Sequence, residues 1–172
     1  MTERLPVSRR ISVADVPPRG TEVVLEADAA QRAAIARSFD LPEVSRWIAR
    51  LAVRPWGRDG LAVAGTVEAD VTRICVVTLE PFPAAVSERV DVRFAPQAEE
   101  HVEIDPTLDV DPPDPLQNGG VDLGAVALEF FALGLDPYPR KPGVAFDAPR
   151  DEAGGESPFA RLADLARPPR KP

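Results

Sequence analysis

Two stretches of two-residue alternation, separated by one turn, constrain this chain more than anything else in it. In RWIARLAVR, residues 46 to 54, Trp47, Ala49, Leu51 and Val53 fall on one face of an extended strand, and Arg46, Ile48, Arg50, Ala52 and Arg54 fall on the other. After the turn PWGRDG the pattern resumes in LAVAGTVEADV, with Leu61, Val63, Val67 and Val71 on one side. The two runs predict a hairpin with one buried face. VSERVDVRF adds a further strand, with Val86, Val90, Val92 and Phe94 inward and Arg89, Asp91 and Arg93 outward. Neighbours joined by turns rather than crossover helices pair antiparallel, so the expected fold is α+β with a mainly antiparallel sheet, curling toward a barrel.

The remaining segments surround that sheet. PVSRRISV and TEVVLE read as short strands on either side of the turn PPRG. DAAQRAAIARSF reads as a surface helix with Asp28 at its N-cap. Residues 96 to 120 are rich in Pro, Asp and Glu, a composition that buries too little apolar surface to offset chain ordering, and they read as a mobile loop. In VDLGAVALEFFALGL, Asp122 caps one long helix over 122 to 134 that carries Val126, Phe130 and Leu133, widened by Leu123, Ala127 and Phe131. This helix is expected to cover the sheet. PYPRKPG stops it, residues 147 to 157 form a polar linker, and SPFARLADLARPPRKP ends the chain with a short helix, Ser157 at its cap and Pro158 at its first position. The expected organisation is a single domain over residues 1 to 146, then a linker, short helix and basic tail over 147 to 172.

Composition excludes several functions. With 44% hydrophobic residues in 172, one ordinary core is within reach. No apolar run approaches the roughly 20 residues of a membrane helix, and MTERLPVSRR lacks the apolar stretch of a signal peptide, so no membrane partner and a cytoplasmic location are expected. The formal charge of −8 argues against a nucleic-acid partner until its distribution is read. Seven acidic residues, Glu99, Glu100, Glu103, Asp105, Asp109, Asp111 and Asp114, lie between Glu99 and Gly120 with no Lys or Arg among them. The remainder is close to neutral and can carry a basic face. Cys75 and His101, each the single residue of its type, cannot make a four-ligand zinc set, so neither metal nor cofactor is expected. No Gly-rich phosphate loop, Ser nucleophile elbow or HExxH occurs, and no enzyme is expected.

Three stretches resemble one family: TRICVVTLEPF followed by VSERVDVRF, then VDLGAVALEFFALGLDPYPRKPG after an acidic loop, then SPFARLADL with a basic end. Together they are similar to the YceD family, the large ribosomal RNA subunit accumulation proteins. The resemblance implies a non-enzymatic role in synthesis, processing or accumulation of large-subunit ribosomal RNA, with that RNA or a pre-ribosomal particle as partner. It also implies a C-x-x-C pair at RICVVTLEPF in many members, and further cysteines after the long helix in some. Here Thr78 stands at the second position of the pair, and PYPRKPG contains no cysteine.

For RNA, the candidate residues are Arg46, Arg50, Arg54, Tyr138, Arg140, Lys141, Arg161, Arg167, Arg170 and Lys171. Arg46, Arg50 and Arg54 share strand parity at intervals of roughly 13 Å, which suits a phosphate backbone. They are equally placed to pair with Glu68 and Asp70 of the next strand. Tyr138 beside Arg140 and Lys141 offers a stacking surface next to positive charge, or else a helix stop whose Tyr packs on the sheet. The basic tail RPPRKP, preceded by Arg161, reads as an RNA arm or as a solubility device. The acidic loop reads as a solvated linker, as a competitor with RNA, or as a site for a basic ribosomal protein or assembly factor. In that last case the protein is an interaction module that never touches RNA. Cys75, flanked by Ile74, Val76 and Val77 with no activating group in sequence, is expected to be a small core residue.

Overall fold

The computed structural model describes residues 5–96 and 112–146. Its centre is three long strands in one continuous antiparallel register: β3 (Glu43–Trp56), β4 (Gly60–Ile74) and β5 (Pro81–Ala95). These follow β1 (Arg10–Ser12), a 3-10 turn at Val13–Asp15, β2 (Thr21–Glu26) and helix α1 (Ala29–Ser38). After them come β6 (Asp114–Pro115), β7 (Gly120–Asp122) and helix α2 (Leu123–Leu133). The main sheet has the order β2, β3, β4, β5, β6, antiparallel except where β6 runs parallel to β5. The ribbon of β1 and β7 is separate.

Alternation places the core as the sequence implies. Trp47, Ala49, Leu51 and Val53 of β3, Leu61, Val63 and Val67 of β4, and Val86, Val90 and Phe94 of β5 are buried in one cluster, while Val92 is half-buried against it. Each fully buried aliphatic or aromatic side chain contributes about 1.5–3 kcal/mol relative to exposure, so this face supplies most of the driving force. A bulge between Val44 and Arg46 inserts one residue, which lets Val44 face inward together with Trp47.

Both helices pack on that inner face. α1 starts with a capping box: the Asp28 carboxylate accepts the Gln31 amide N–H at 2.8 Å, and the Gln31 side chain accepts from the Asp28 amide. It contributes Ile35 and Ala36 to the core. α2 contributes Leu123, Val126, Ala127, Leu128 and Phe131. Phe39, at the C-cap of α1, meets Phe131 edge to face with ring centroids 5.2 Å apart. The Asp122 carboxylate accepts from Ser8 Oγ and from the amides of Arg9, Gly124 and Ala125, tying the N-terminal segment to the start of α2.

Four expectations need correction. The sheet is open rather than barrel-like, because β6 is only two residues long and the β1 and β7 ribbon does not bridge the edges. It is covered by two helices of 10 and 11 residues, not by one long helix. The expected loop over 96 to 120 ends in structure: Asp114 and Pro115 pair with Phe94 and Ala95, and Gly120 with Ser12. Leu133 is 72% exposed and Phe130 only half-buried, so the packed face of α2 is centred on Phe131. The short helix expected after Ser157 lies outside the described residues, as do His101 and six of the seven loop acids. Among the described residues no helix is long and apolar enough to cross a membrane.

In urea unfolding followed by circular dichroism, Phe131→Ala should cost about 3–5 kcal/mol. Leu133→Ala should change stability by less than about 0.5 kcal/mol. A larger loss from the Leu133 variant would rotate the helix face assigned here.

Candidate nucleic-acid interface

With both helices on the inner side, the opposite face of the sheet is bare of secondary structure among the described residues, and strand register dictates what it displays. Val24, Arg50, Thr66 and Arg89 form one row across β2 to β5; Glu22, Ala52, Ala64 and Asp91 form the next. Arg54, Ala62 and Arg93 form a third, beside the hairpin turn. A strip of small side chains on β4, Ala62, Ala64 and Thr66, therefore runs between arginines of β3 and arginines of β5. Strands two apart are separated by about 9.5 Å, which sets the width between the two arginine lines.

Charge divides this face along its length. Arg46 Nη2 and Arg50 Nη1 lie 3.0 and 3.2 Å from the same Glu68 oxygen, and Arg46 Nη1 lies 3.8 Å from Asp70. Hydrogen bonds from Arg46 and then Arg50 hold the Glu68 carboxyl below its ordinary pKa. Of the two sequence readings, the ion-paired one describes Arg46 and Arg50. Toward the hairpin turn the balance changes: Arg54 and Arg93 form no ion pair among the described residues, and Arg58 is exposed in the turn itself. Arg89 approaches Asp91 only at 3.9 Å, with both side chains largely exposed.

Trp56 completes this end. Its β4 partner is Gly60, where a Cβ would come within 3.0 Å of the indole Cε3, so the ring rests over a position with no side chain. The Arg93 guanidinium carbon stands 5.9 Å from the ring centroid, at the outer limit of a cation–π contact. Trp56, Arg58, Arg89 and Arg93 were not among the sequence candidates. Strand parity already turned Arg89 and Arg93 outward, and adding the order β3, β4, β5 would have put them on the face of Arg50 and Arg54.

The second candidate cluster lies at the far end of β4. Tyr138 is 71% exposed and does not pack on the sheet; its amide donates to Asp136 Oδ1 at 2.8 Å. Arg140 is exposed, and Lys141 Nζ sits 3.0 Å from Glu80 Oε2. Arg161, Arg167, Arg170 and Lys171 lie outside the described residues.

This segment meets the turn that follows β4. Val76 N donates to Pro139 O at 2.9 Å, and Lys141 N donates to Cys75 Sγ at 3.4 Å. Cys75 is buried with 0% exposure, as expected of a small apolar residue, and it sits in the turn between β4 and β5, outside the main core cluster. Its surroundings do perturb it. The Lys141 amide, the Thr78 hydroxyl and the Thr78 and Val77 amides outweigh burial and pull the thiol down to about 6. The two segments at which the resemblance implies cysteines thus adjoin here, but the donor set does not fit zinc. One thiol is held by N–H donors with Thr78 and Lys141 beside it, and no group of three metal-ligating side chains forms among the described residues.

A depressed folded-state pKa adds stability above the unfolded value and loses it as pH falls through the folded one. The Cys75 contribution should therefore be fully present above its ordinary value of 9.0 and decline toward about 6. Calorimetry of the native chain and Cys75→Ala should show a Tm gap that narrows as pH falls through that window. A gap independent of pH would mean that the sulfur stays protonated.

The family model described as "Large ribosomal RNA subunit accumulation protein YceD" matches residues 63–166. No curated protein and no solved structure matches the chain. The matched span begins in β4 and takes in β5, the Cys75 turn, α2 and the Tyr138 segment, more than half of the sequence. The chain belongs to the YceD family.

Proposed function

We propose that this protein supports accumulation of large-subunit ribosomal RNA by binding that RNA, or a pre-ribosomal particle that contains it, and catalyses no reaction. The family's description implies the process. The observation that carries direct binding is the bare outer face, where arginines of β3 and β5 flank a strip of small residues on β4. Phosphate contacts need clustered guanidinium groups that a ligand can reach, and a sheet with both helices on its other side supplies them without opening the core. The basic tail from Arg161 to Lys171 adds four cations to the same reading.

The rival, capture of a basic ribosomal protein or assembly factor through the acidic loop, makes the opposite demand on charge. Crosslinking in cells followed by sequencing should enrich large-subunit ribosomal RNA with the native chain. Replacing Arg54, Arg89 and Arg93 with Gln should reduce that enrichment and lower large-subunit RNA relative to small-subunit RNA. Replacing Glu99, Glu100, Glu103, Asp105, Asp109 and Asp111 with the corresponding amides should raise RNA affinity in vitro. Recovery of a protein partner without RNA, lost on amide replacement and kept in the arginine variant, would establish the rival instead.

A further inference from the structure

We infer that the hairpin end of the outer face is a binding site for an unpaired stretch of RNA, with a base stacked on the Trp56 and Arg93 pair and the flanking phosphates on Arg54 and Arg58. This rests on the RNA-binding reading above and narrows it to a class of RNA and a place.

The geometry asks for a single strand. Trp56 is a large, partly exposed aromatic at 36%, seated over Gly60 and therefore low on the sheet surface. Exposed aromatic rings on a sheet are the surfaces on which unpaired bases stack, whereas a continuous duplex keeps its base faces inside. Arg93 adds positive charge beside the ring, its guanidinium carbon 5.9 Å from the ring centroid, and a guanidinium is itself a flat group on which a base can stack. Ala62, directly between Arg54 and Arg93, leaves the middle of the row flat, so a strand can lie across β4.

Charge favours the same end. The acids opposite Arg46 and Arg50 already occupy those guanidinium groups, while no carboxylate among the described residues is within ion-pair distance of Arg54 or Arg93. Glu22 and Asp91 stand at the two ends of the row below, so a strand that continued down the face would meet negative charge at its rims. The site is therefore short, confined to the rows nearest the turn.

Trp56 also provides the readout, since the second tryptophan, Trp47, is 1% exposed in the core. The full chain is titrated with a short oligouridylate and with a poly(A)·poly(U) duplex, following tryptophan fluorescence and, separately, affinity by filter binding. The oligouridylate should quench fluorescence and bind more tightly than the duplex. Trp56→Ala should weaken its binding by about five- to one-hundred-and-fifty-fold, the size expected for one stacked base, and Trp56→Phe should retain most of the affinity. Arg54→Gln and Arg58→Gln should each shallow the slope of log affinity against log salt by about 0.7. Unchanged affinity by filter binding in a folded Trp56→Ala variant, or oligouridylate binding to the native chain without any change in its tryptophan fluorescence, would overturn this site and leave the RNA-binding reading standing. Failure of the native chain to bind oligouridylate, duplex and large-subunit ribosomal RNA alike would overturn both.

Discussion

The pairing of β3, β4 and β5 in a single register is the constraint on which the rest of the molecule depends. Because side chains alternate with a period of two, a slip of one residue would turn Leu51, Val63 and Val90 toward solvent and Arg50, Arg54 and Arg93 toward the helices. The core excludes that slip. Strands of 14, 15 and 15 residues give long uninterrupted ladders, and nearly every inward position on them is apolar. The one irregularity, the bulge at Ser45, changes parity at the start of β3 and keeps Val44 inside while Arg46, Arg50 and Arg54 stay in line outside. The hydrophobic inner face thus dictates where the arginines stand, although it makes no contact with whatever they bind.

One-sided coverage follows from how the helices are tied. α1 reaches the sheet through Ile35 and Ala36, α2 through Phe131 and its neighbours, and Phe39 against Phe131 joins the two. Asp122 then secures the N-terminal segment to the first turn of α2; desolvation opposes its charge, but the bonds from Ser8, Arg9, Ala125 and Gly124 prevail and hold its carboxyl below the ordinary range. With both helices and the N-terminal ribbon engaged in one layer, the described chain has nothing left to cover the other. An uncovered sheet face of short aliphatic and charged side chains is stable in water and available to a polar ligand, a combination that a second apolar face would not allow.

The strand faces were legible in the sequence because alternation needs only local information, and Trp47, Leu51, Val63 and Val90 fall where it puts them. Failures came where the deciding partner is distant or the pattern is saturated. α2 is apolar on almost every side, so periodicity could not choose between Phe131 and Leu133, and packing on β4 and β5 decided it. Asp114 and Pro115 look like loop because nothing near them pairs with them; their partners are Phe94 and Ala95. Cys75 lies in a β-branched run that reads as continuous strand, yet Leu79 adopts φ 58 and its amide donates to Cys75 O, closing a turn that the side chains do not announce. Arg89 and Arg93 were readable as outward but not as neighbours of Arg54, since that requires strand order as well as parity.

The acidic character of the chain bears on what such a face can recognise. At physiological salt, screening acts over about 8 Å, so in the RNA-binding reading proposed above net negative charge would weaken long-range attraction to RNA more than contacts already made. Close to the sheet, Glu68 and Asp70 occupy Arg46 and Arg50, and a phosphate arriving there would have to displace a carboxylate. In that reading a chain of charge −8 would gain little from indiscriminate phosphate binding, and an RNA offering only a backbone would be held weakly. An RNA that also presents an unpaired base gains the aromatic platform at Trp56, whose stacking is insensitive to net charge. On the proposed reading, suppressing the electrostatic part of the affinity while keeping the stacking part would turn a general attraction to polyanions into a preference for exposed bases.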